Sequence, residues 1–304
     1  MNAPRLENVL PREGINSSPE HPLKEFSWLV GSVAATVILV VLLVGWGAQW
    51  VAPHLPFSAE ESLAARWIDQ PVPLEQFVRT KALQTLADRI AAQLQLPVGM
   101  HVYVSVVDSR EINAFASIGG RIRINRGLLE RLNSEDSLAA LLAHEIAHVK
   151  HRHVATSLGR GLALSLLLAA ISADAGAATA QAAIGNATGL ALLGYSRAQE
   201  AQADEEALRA VVAMYGHGAG FTALFTVLRD AQSDLFIHEL KAGAELAHSH
   251  PLTADRIAAA RARSRVQGWA MDGALTPLSK DIRWPMASSI QARARAIASA
   301  ISAS

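Results

Sequence analysis

The 304-residue chain contains no cysteine, and this absence removes several kinds of chemistry at once. Thiol nucleophiles, disulfides and thiolate metal ligands are excluded, so any metal must be held by His, Asp or Glu side chains. An excess of charge is also absent, because 27 Lys and Arg balance 27 Asp and Glu. Nothing therefore suggests a polyanionic partner, and we predict that the chain binds no nucleic acid.

Formal charge is absent from residues 26–58, and residues 28–51 are almost wholly apolar. A helix needs about 20 such residues to cross about 30 Å of hydrocarbon, so we predict a single transmembrane helix that anchors the chain in a lipid bilayer. A secretory signal peptide is the rival interpretation. Its apolar region is typically only about 7 to 15 residues, however, and Ala48-Gln49-Trp50 lacks a small-x-small cleavage pattern.

Basic residues are more frequent before the predicted span than after it. Arg5, Arg12 and Lys24 precede it, whereas only Arg66 follows it closely. The positive-inside rule then predicts a cytoplasmic N-terminus and a main domain outside the cytoplasm. In a bacterium this topology is that of a single-pass inner-membrane protein with a periplasmic domain.

Changes in composition divide the chain into five segments. We predict an N-terminal tail (1–26), a transmembrane anchor (27–52), a proline-punctuated linker with a short helical piece (53–73), a folded domain (74–265) and a helical C-terminal extension (266–304). Within the domain, helical patterns predominate, but β-branched runs near residues 102–107 and 121–125 predict strands. The predicted fold class is α+β, predominantly helical, with a small β-sheet.

A second segment with little charge lies between Gly161 and Tyr195, where Asp174 is the one charged residue. Its strongly apolar part, residues 162–171, has about half the length that a membrane span needs. We therefore favour a buried or interface-forming helical hairpin, with a shallow membrane contact as the alternative.

The residues with the clearest chemistry are His144-Glu145-Ile146-Ala147-His148. Helical residues four apart share a face, so His144 and His148 can direct two imidazoles at one ion while Glu145 holds a water beside it. Catalytic zinc needs a third protein ligand and one open position. The motif alone predicts a zinc hydrolase and leaves the third ligand open.

Two further histidines follow this motif. His151 lies about 10.5 Å along the helix axis from His144, too far to share its ion. His153 points to the opposite side of the helix, so we predict that neither is a ligand. A metzincin would have a glycine and a third histidine where this chain has His151 and Val154, so that class is disfavoured.

A later segment, residues 195–204, places Glu200 and Asp204 on one helix face. With it the chain resembles the gluzincin peptidase family that includes HtpX, BepA, mitochondrial Oma and the CAAX prenyl proteases. The resemblance covers residues 74–264 and rests on four elements in the same order, Asn113-Ala114-Phe115-Ala116 with Gly119-Gly120, HEIAH with Val149 to His153, Glu200-x-x-x-Asp204, and Ser249-His250-Pro251 before Arg256-Ile257. It implies a zincin-like peptidase domain whose sheet lies beside the HExxH helix.

The resemblance implies a role for each matched position. His144, His148 and Glu200 would bind one Zn²⁺ ion per chain, Glu145 would be the general base, and Asp204 would orient a ligating imidazole.

Three further roles are implied. His250 would approach the metal from a downstream loop, either to stabilise the oxyanion or to cover the resting site, and Arg256 would support the site or pair with a surface acid. A strand would hold an extended substrate by adding it to the sheet, and its residues are Asn113, Ala114, Phe115 and Ala116.

Together these features predict a membrane-anchored zinc metalloendopeptidase that cleaves unfolded or extended protein segments, in membrane or envelope protein quality control. Because HtpX and the prenyl proteases have several spans and this chain shows one, processing of prenylated peptides is not expected. The alternatives are a chaperone-like module that holds extended segments without turnover, and a structural membrane protein with incidental histidines.

Overall fold

The computed structural model describes residues 22–51, 54–67, 77–171, 194–237 and 254–284. Its elements are α1 (Pro22–Val51), α2 (Phe57–Trp67), α3 (Phe77–Leu94), β1 (Tyr103–Val107), β2 (Ala114–Ser117), a 3-10 turn (Ile118–Gly120), β3 (Arg121–Asn125), α4 (Arg126–Leu129), α5 (Glu135–Lys150), α6 (His153–Ile171), α7 (Arg197–Tyr215), α8 (Ala219–Ile237) and α9 (Ala254–Gln267). The predicted fold class is confirmed, since the chain is mostly helical with a small mixed sheet.

Helix α1 contains the apolar segment predicted as an anchor. Its stretch Leu23–Gly47 is exposed, and in the part of the chain that the structure describes it is the one helix long and apolar enough to cross a bilayer. Helix α6 runs beside α1. Of the hairpin predicted at residues 161–195, the part at 172–193 lies outside the described residues.

The sheet has the order β1-β3-β2, with β1 parallel and β2 antiparallel to β3. Ile122 and Ile124 of β3 are fully buried and alternate with more exposed arginines, which is the period of a strand with one face on the core. The chain reverses between β2 and β3 at Gly119 and Gly120, both with positive φ. Strand β2 is an edge of this sheet and packs against α5.

Helix α2 falls within the predicted linker, yet it packs on the domain. Phe57 and Ala64 join the hydrophobic core. Glu60 accepts a hydrogen bond from the Gly119 N–H at 3.2 Å and pairs with Arg152 at 2.7 Å. The apolar face of α2 covers the turn between β2 and β3.

Residues 268–284 are irregular, unlike the helix predicted for the C-terminal extension. They cross the start of α5, where Glu135 N–H donates to Thr276 O and Thr276 N–H donates to Asp136, both at 2.8 Å. An isolated β-bridge joins Ser134 to Pro277. This segment therefore satisfies backbone and side-chain groups at a helix end. The apolar pattern that suggested a helix, residues 290–301, lies outside the described residues.

Candidate metal centre

Helix α5 carries the HExxH residues through the middle of the fold. It begins after Ser134, whose side chain caps the helix by accepting a hydrogen bond from Ser137 N–H. Every residue from Asp136 to Val149 is buried, because α3, α7, α8 and β2 all pack around the helix. The metal motif is thus held on a rigid, centrally placed element.

The imidazoles of His144 and His148 converge on the carboxylate of Glu200, which lies on α7. The two Nε2 atoms are 3.1 Å apart, and each lies 3.6 Å from a Glu200 oxygen. All three residues are at most 6% exposed. Two imidazole nitrogens and one carboxylate oxygen, within 4.8 Å of one another, form the donor set of a catalytic zinc site, so these residues fit the ion that the motif implies.

Asp204 lies one turn beyond Glu200 on α7 and faces His144. Its Oδ1 is 3.0 Å from Nδ1 of His144. A hydrogen bond from Nδ1–H to this carboxylate leaves the lone pair of His144 on Nε2, the nitrogen directed at His148 and Glu200. Helix α7 is fixed at its start by a capping box between Ser196 and Gln199, so the register of both carboxylates is set locally.

Arg256 of α9 binds both carboxylates of α7. Its guanidinium donates to the two oxygens of Asp204 at 2.7 Å each, and its Nη1 lies 2.8 Å from Glu200. Burial alone would raise the pKa of Asp204, but hydrogen bonds from Arg256 and His144 outweigh it and lower the pKa to about 2. Asp204 is therefore ionised at neutral pH, and Arg256 lies at the buried centre rather than on a surface acid.

The ring of His153 lies 3.0 Å from His148, between the two Nδ1 atoms. The prediction that His153 points to the opposite side was wrong, because α5 ends at Lys150 and Arg152 adopts a left-handed conformation with φ of 59°. Helix α6 then starts at His153 and returns its ring to α5. Burial and the neighbouring His151 lower the pKa of His153 to about 4.

Tyr195 also belongs to the centre, although no role was predicted for it from the sequence. Its ring stacks on His148 with centroids 3.8 Å apart. Burial, with the nearby charges of Glu145 and Glu200, raises the pKa of its hydroxyl well above the usual value. Tyr195 also lines a cavity of about 390 Å³ together with Glu200, Asp204 and Arg256. Its position immediately before the α7 cap was the available signal.

The remaining predicted site residues are placed as follows. Glu145 is 1% exposed on α5 beside the two histidines. Residues 113–116, predicted as the substrate strand, form β2 and the residue before it, and their side chains are buried. His250 lies outside the described residues.

Comparison with known proteins gives the family. The sequence profile of peptidase family M48 matches residues 78–264. The chain belongs to peptidase family M48. The gluzincin resemblance inferred from HEIAH and Glu200-x-x-x-Asp204 is thereby confirmed.

Curated M48 relatives include beta-barrel assembly-enhancing proteases and HtpX. The putative beta-barrel assembly-enhancing protease of Vibrio cholerae is 36% identical over 172 residues, which are 53% of this chain and 34% of that protein. The Yersinia pestis beta-barrel assembly-enhancing protease is 28% identical over 183 residues, 52% of this chain and 36% of the relative. Protease HtpX of Xanthomonas campestris pv. campestris (strain B100) is 31% identical over 126 residues, 40% of each chain. The chain thus spans well under half the length of these relatives.

Proposed function

We propose that this M48 chain is a zinc metalloendopeptidase. The observation that carries the proposal is the convergence of His144, His148 and Glu200 beside the buried Glu145, on helices α5 and α7. The two histidines and Glu200 would hold the ion. When bound, zinc polarises a substrate carbonyl and acidifies a water molecule.

The chain's own residues supply the proton transfers and the orientation. Glu145 accepts a proton from the attacking water and delivers it to the leaving amine, the general acid–base role of the glutamate in HExxH. Asp204 holds the His144 ring with Nε2 directed at His148 and Glu200, where the ion would be held, and Arg256 holds Asp204 and Glu200 in place. In this proposal His250 either stabilises the oxyanion or covers the resting site.

We place the enzyme at a bacterial membrane, with α1 as a single-pass anchor, a cytoplasmic N-terminus and a periplasmic catalytic domain. The length and exposure of α1 support the anchor, and the basic residues before it support the orientation. Relatives named for β-barrel assembly support a role in envelope protein quality control.

The proposed substrates are unfolded or extended protein segments. The backbone of β2, an edge of the sheet beside α5, would pair with such a segment through residues 113–116. A segment paired there would run past the HExxH helix, so its carbonyls would pass close to the metal.

A mass-spectrometric search for cleavage of casein, an unstructured protein, tests the proposal. Wild-type protein is expected to produce defined peptides, and the Glu145→Gln variant none at the same zinc content. The alternative, a chaperone-like module of the same fold, predicts that both proteins bind casein and that neither cleaves it.

A further inference from the structure

The second ligating histidine, His148, is the start of a chain of polar contacts that reaches the protein surface. His148 Nδ1 lies 3.0 Å from His153 Nδ1, and His153 Nε2 lies 3.2 Å from Gln202 Oε1. Gln202 Nε2 in turn lies 3.0 Å from His151 Nδ1. This series of contacts begins at the fully buried imidazole of His148 and ends on exposed Gln202 and half-buried His151.

A metal ion on His148 leaves only one possible direction for these hydrogen bonds. If Nε2 of His148 gives its lone pair to the ion, the ring proton is on Nδ1 and is donated to Nδ1 of His153. His153 then carries its own proton on Nε2, where the acceptor is the amide oxygen of Gln202. The Gln202 NH2 group donates to His151.

The contacts of His151, at the outer end of this series of hydrogen bonds, agree with this direction. His151, accepting on Nδ1, carries its proton on Nε2, and that atom is 3.5 Å from a carboxylate oxygen of Glu206. Glu206 is fixed by Lys150 at 2.9 Å and by an ion pair with Arg209. In the reverse direction a proton would sit on Nε2 of His148, the atom that would bind the ion.

We propose that His153, aligned by Gln202, is a positioning residue that fixes the tautomer and ring orientation of His148 and so raises the affinity of the site for zinc. His153, on α6, accepts the Nδ1 proton of His148, just as Asp204, on α7, accepts the Nδ1 proton of His144. The two ligating imidazoles therefore have different partners, one charged and one neutral. This inference rests on the proposed zinc site.

Zinc affinity, measured on metal-free full-length protein by competition with a chromophoric chelator, tests the inference. His153→Leu removes the acceptor while filling similar space, and it is expected to lower the affinity by about 10- to 100-fold, the usual effect of losing such a partner. His153→Asn keeps an oxygen near the position of Nδ1 and is expected to restore affinity to within about threefold of wild type. His101→Leu, which removes an exposed histidine, is the matched control and should leave affinity unchanged.

Two further readouts separate positioning from general loss of structure. Thermal unfolding of the metal-free variants reports stability alone. The visible absorption of the Co²⁺-substituted protein reports ligand geometry, and it should change in His153→Leu and recover in His153→Asn. Gln202→Leu, at an exposed position, should weaken zinc binding less than His153→Leu does.

The inference is overturned if His153→Leu binds zinc within about twofold of wild type, or if Leu and Asn weaken binding equally. Should His153→Leu fail to fold, Gln202→Leu decides, and an unchanged affinity there overturns the inference. Wild-type protein that binds no zinc would overturn the proposed function as well, whereas normal zinc binding by wild type and all variants overturns this inference alone.

Discussion

Arg256 and Asp204 form a two-pronged ion pair between α9 and α7, with both N···O distances at 2.7 Å. Both side chains are largely buried, at 13% and 9% exposure. The planar guanidinium matches the two carboxylate oxygens, a geometry that lysine cannot reproduce. Since Arg256 also reaches Glu200, this pair connects α9 to two residues of the proposed metal centre.

Arg256→Ala is expected to destabilise the protein by about 3 to 5 kcal/mol, because it leaves the carboxylate of Asp204 buried without its partner. Arg263→Ala is the matched control, since Arg263 lies on the same helix and pairs with Glu205 of α7 at the surface. That exposed pair should contribute only about 0 to 1 kcal/mol. Chemical denaturation of the three proteins measures both values, and equal losses would contradict the assigned difference in burial.

Asp204→Asn is expected to lower zinc affinity by about 10- to 100-fold, because the amide is a weaker and uncharged acceptor for His144 Nδ1–H. Glu205→Gln changes the neighbouring, more exposed carboxylate in the same way and should have little effect. Chelator competition on the metal-free proteins gives both affinities. Equal binding by Asp204→Asn and wild type would show that Asp204 does not orient the ligand.

The sequence predicts the centre best where one helix determines the geometry. The i, i+4 spacing of His144 and His148 places both imidazoles on one helix face, and the structure shows their Nε2 atoms 3.1 Å apart. The position of His153 did not follow, because it depends on a left-handed residue, Arg152, in a stretch without the glycine that usually marks a helix end.

The packing of α2 could not be predicted from the sequence either. A short helix between prolines has the same pattern whether its apolar face meets the domain or another surface, and only the tertiary contacts of Phe57 and Ala64 distinguish these cases. The irregular conformation of residues 268–284 was not predictable for the same kind of reason. It depends on backbone groups of Ser134 and Glu135, which are far away in sequence.

Gly119→Ala tests the packing of α2 on the sheet. Gly119 has φ of 65°, and an added Cβ would lie 2.9 Å from Ala64 and from the Glu60 carbonyl oxygen. Gly99 has φ of 80° and open space, so Gly99→Ala carries the backbone strain alone. We expect Gly119→Ala to be less stable than Gly99→Ala by about 1 to 3 kcal/mol, the cost of overpacking.

Removal of α2 provides the control for that comparison. In a protein truncated to begin after α2, the extra cost of Gly119→Ala should disappear, because the atoms that the new methyl group meets are gone. A difference that persists without α2 would place its origin within the sheet turn itself.

Glu206 gives a pH-dependent contribution to stability. Burial would raise its pKa, but hydrogen bonds and charge from Lys150 and Arg209 outweigh burial and lower the pKa from its usual value. A carboxyl group with a lowered folded-state pKa stabilises the fold above its unfolded-state pKa and loses this contribution as pH falls through the folded value. Metal-free wild type should therefore exceed Glu206→Gln in unfolding free energy at pH 7, and this difference should disappear as pH falls through the lowered pKa of Glu206. A gap that does not depend on pH would contradict the assignment.

Zinc content and casein cleavage, measured on the same samples, test the central claim most directly. Metal-free wild-type protein titrated with zinc should gain cleavage activity in proportion to bound metal, up to about one ion per chain. Glu145→Gln should bind the same amount and remain inactive at every point. Cleavage by metal-free protein, or by zinc-loaded Glu145→Gln at the wild-type rate, would contradict the account.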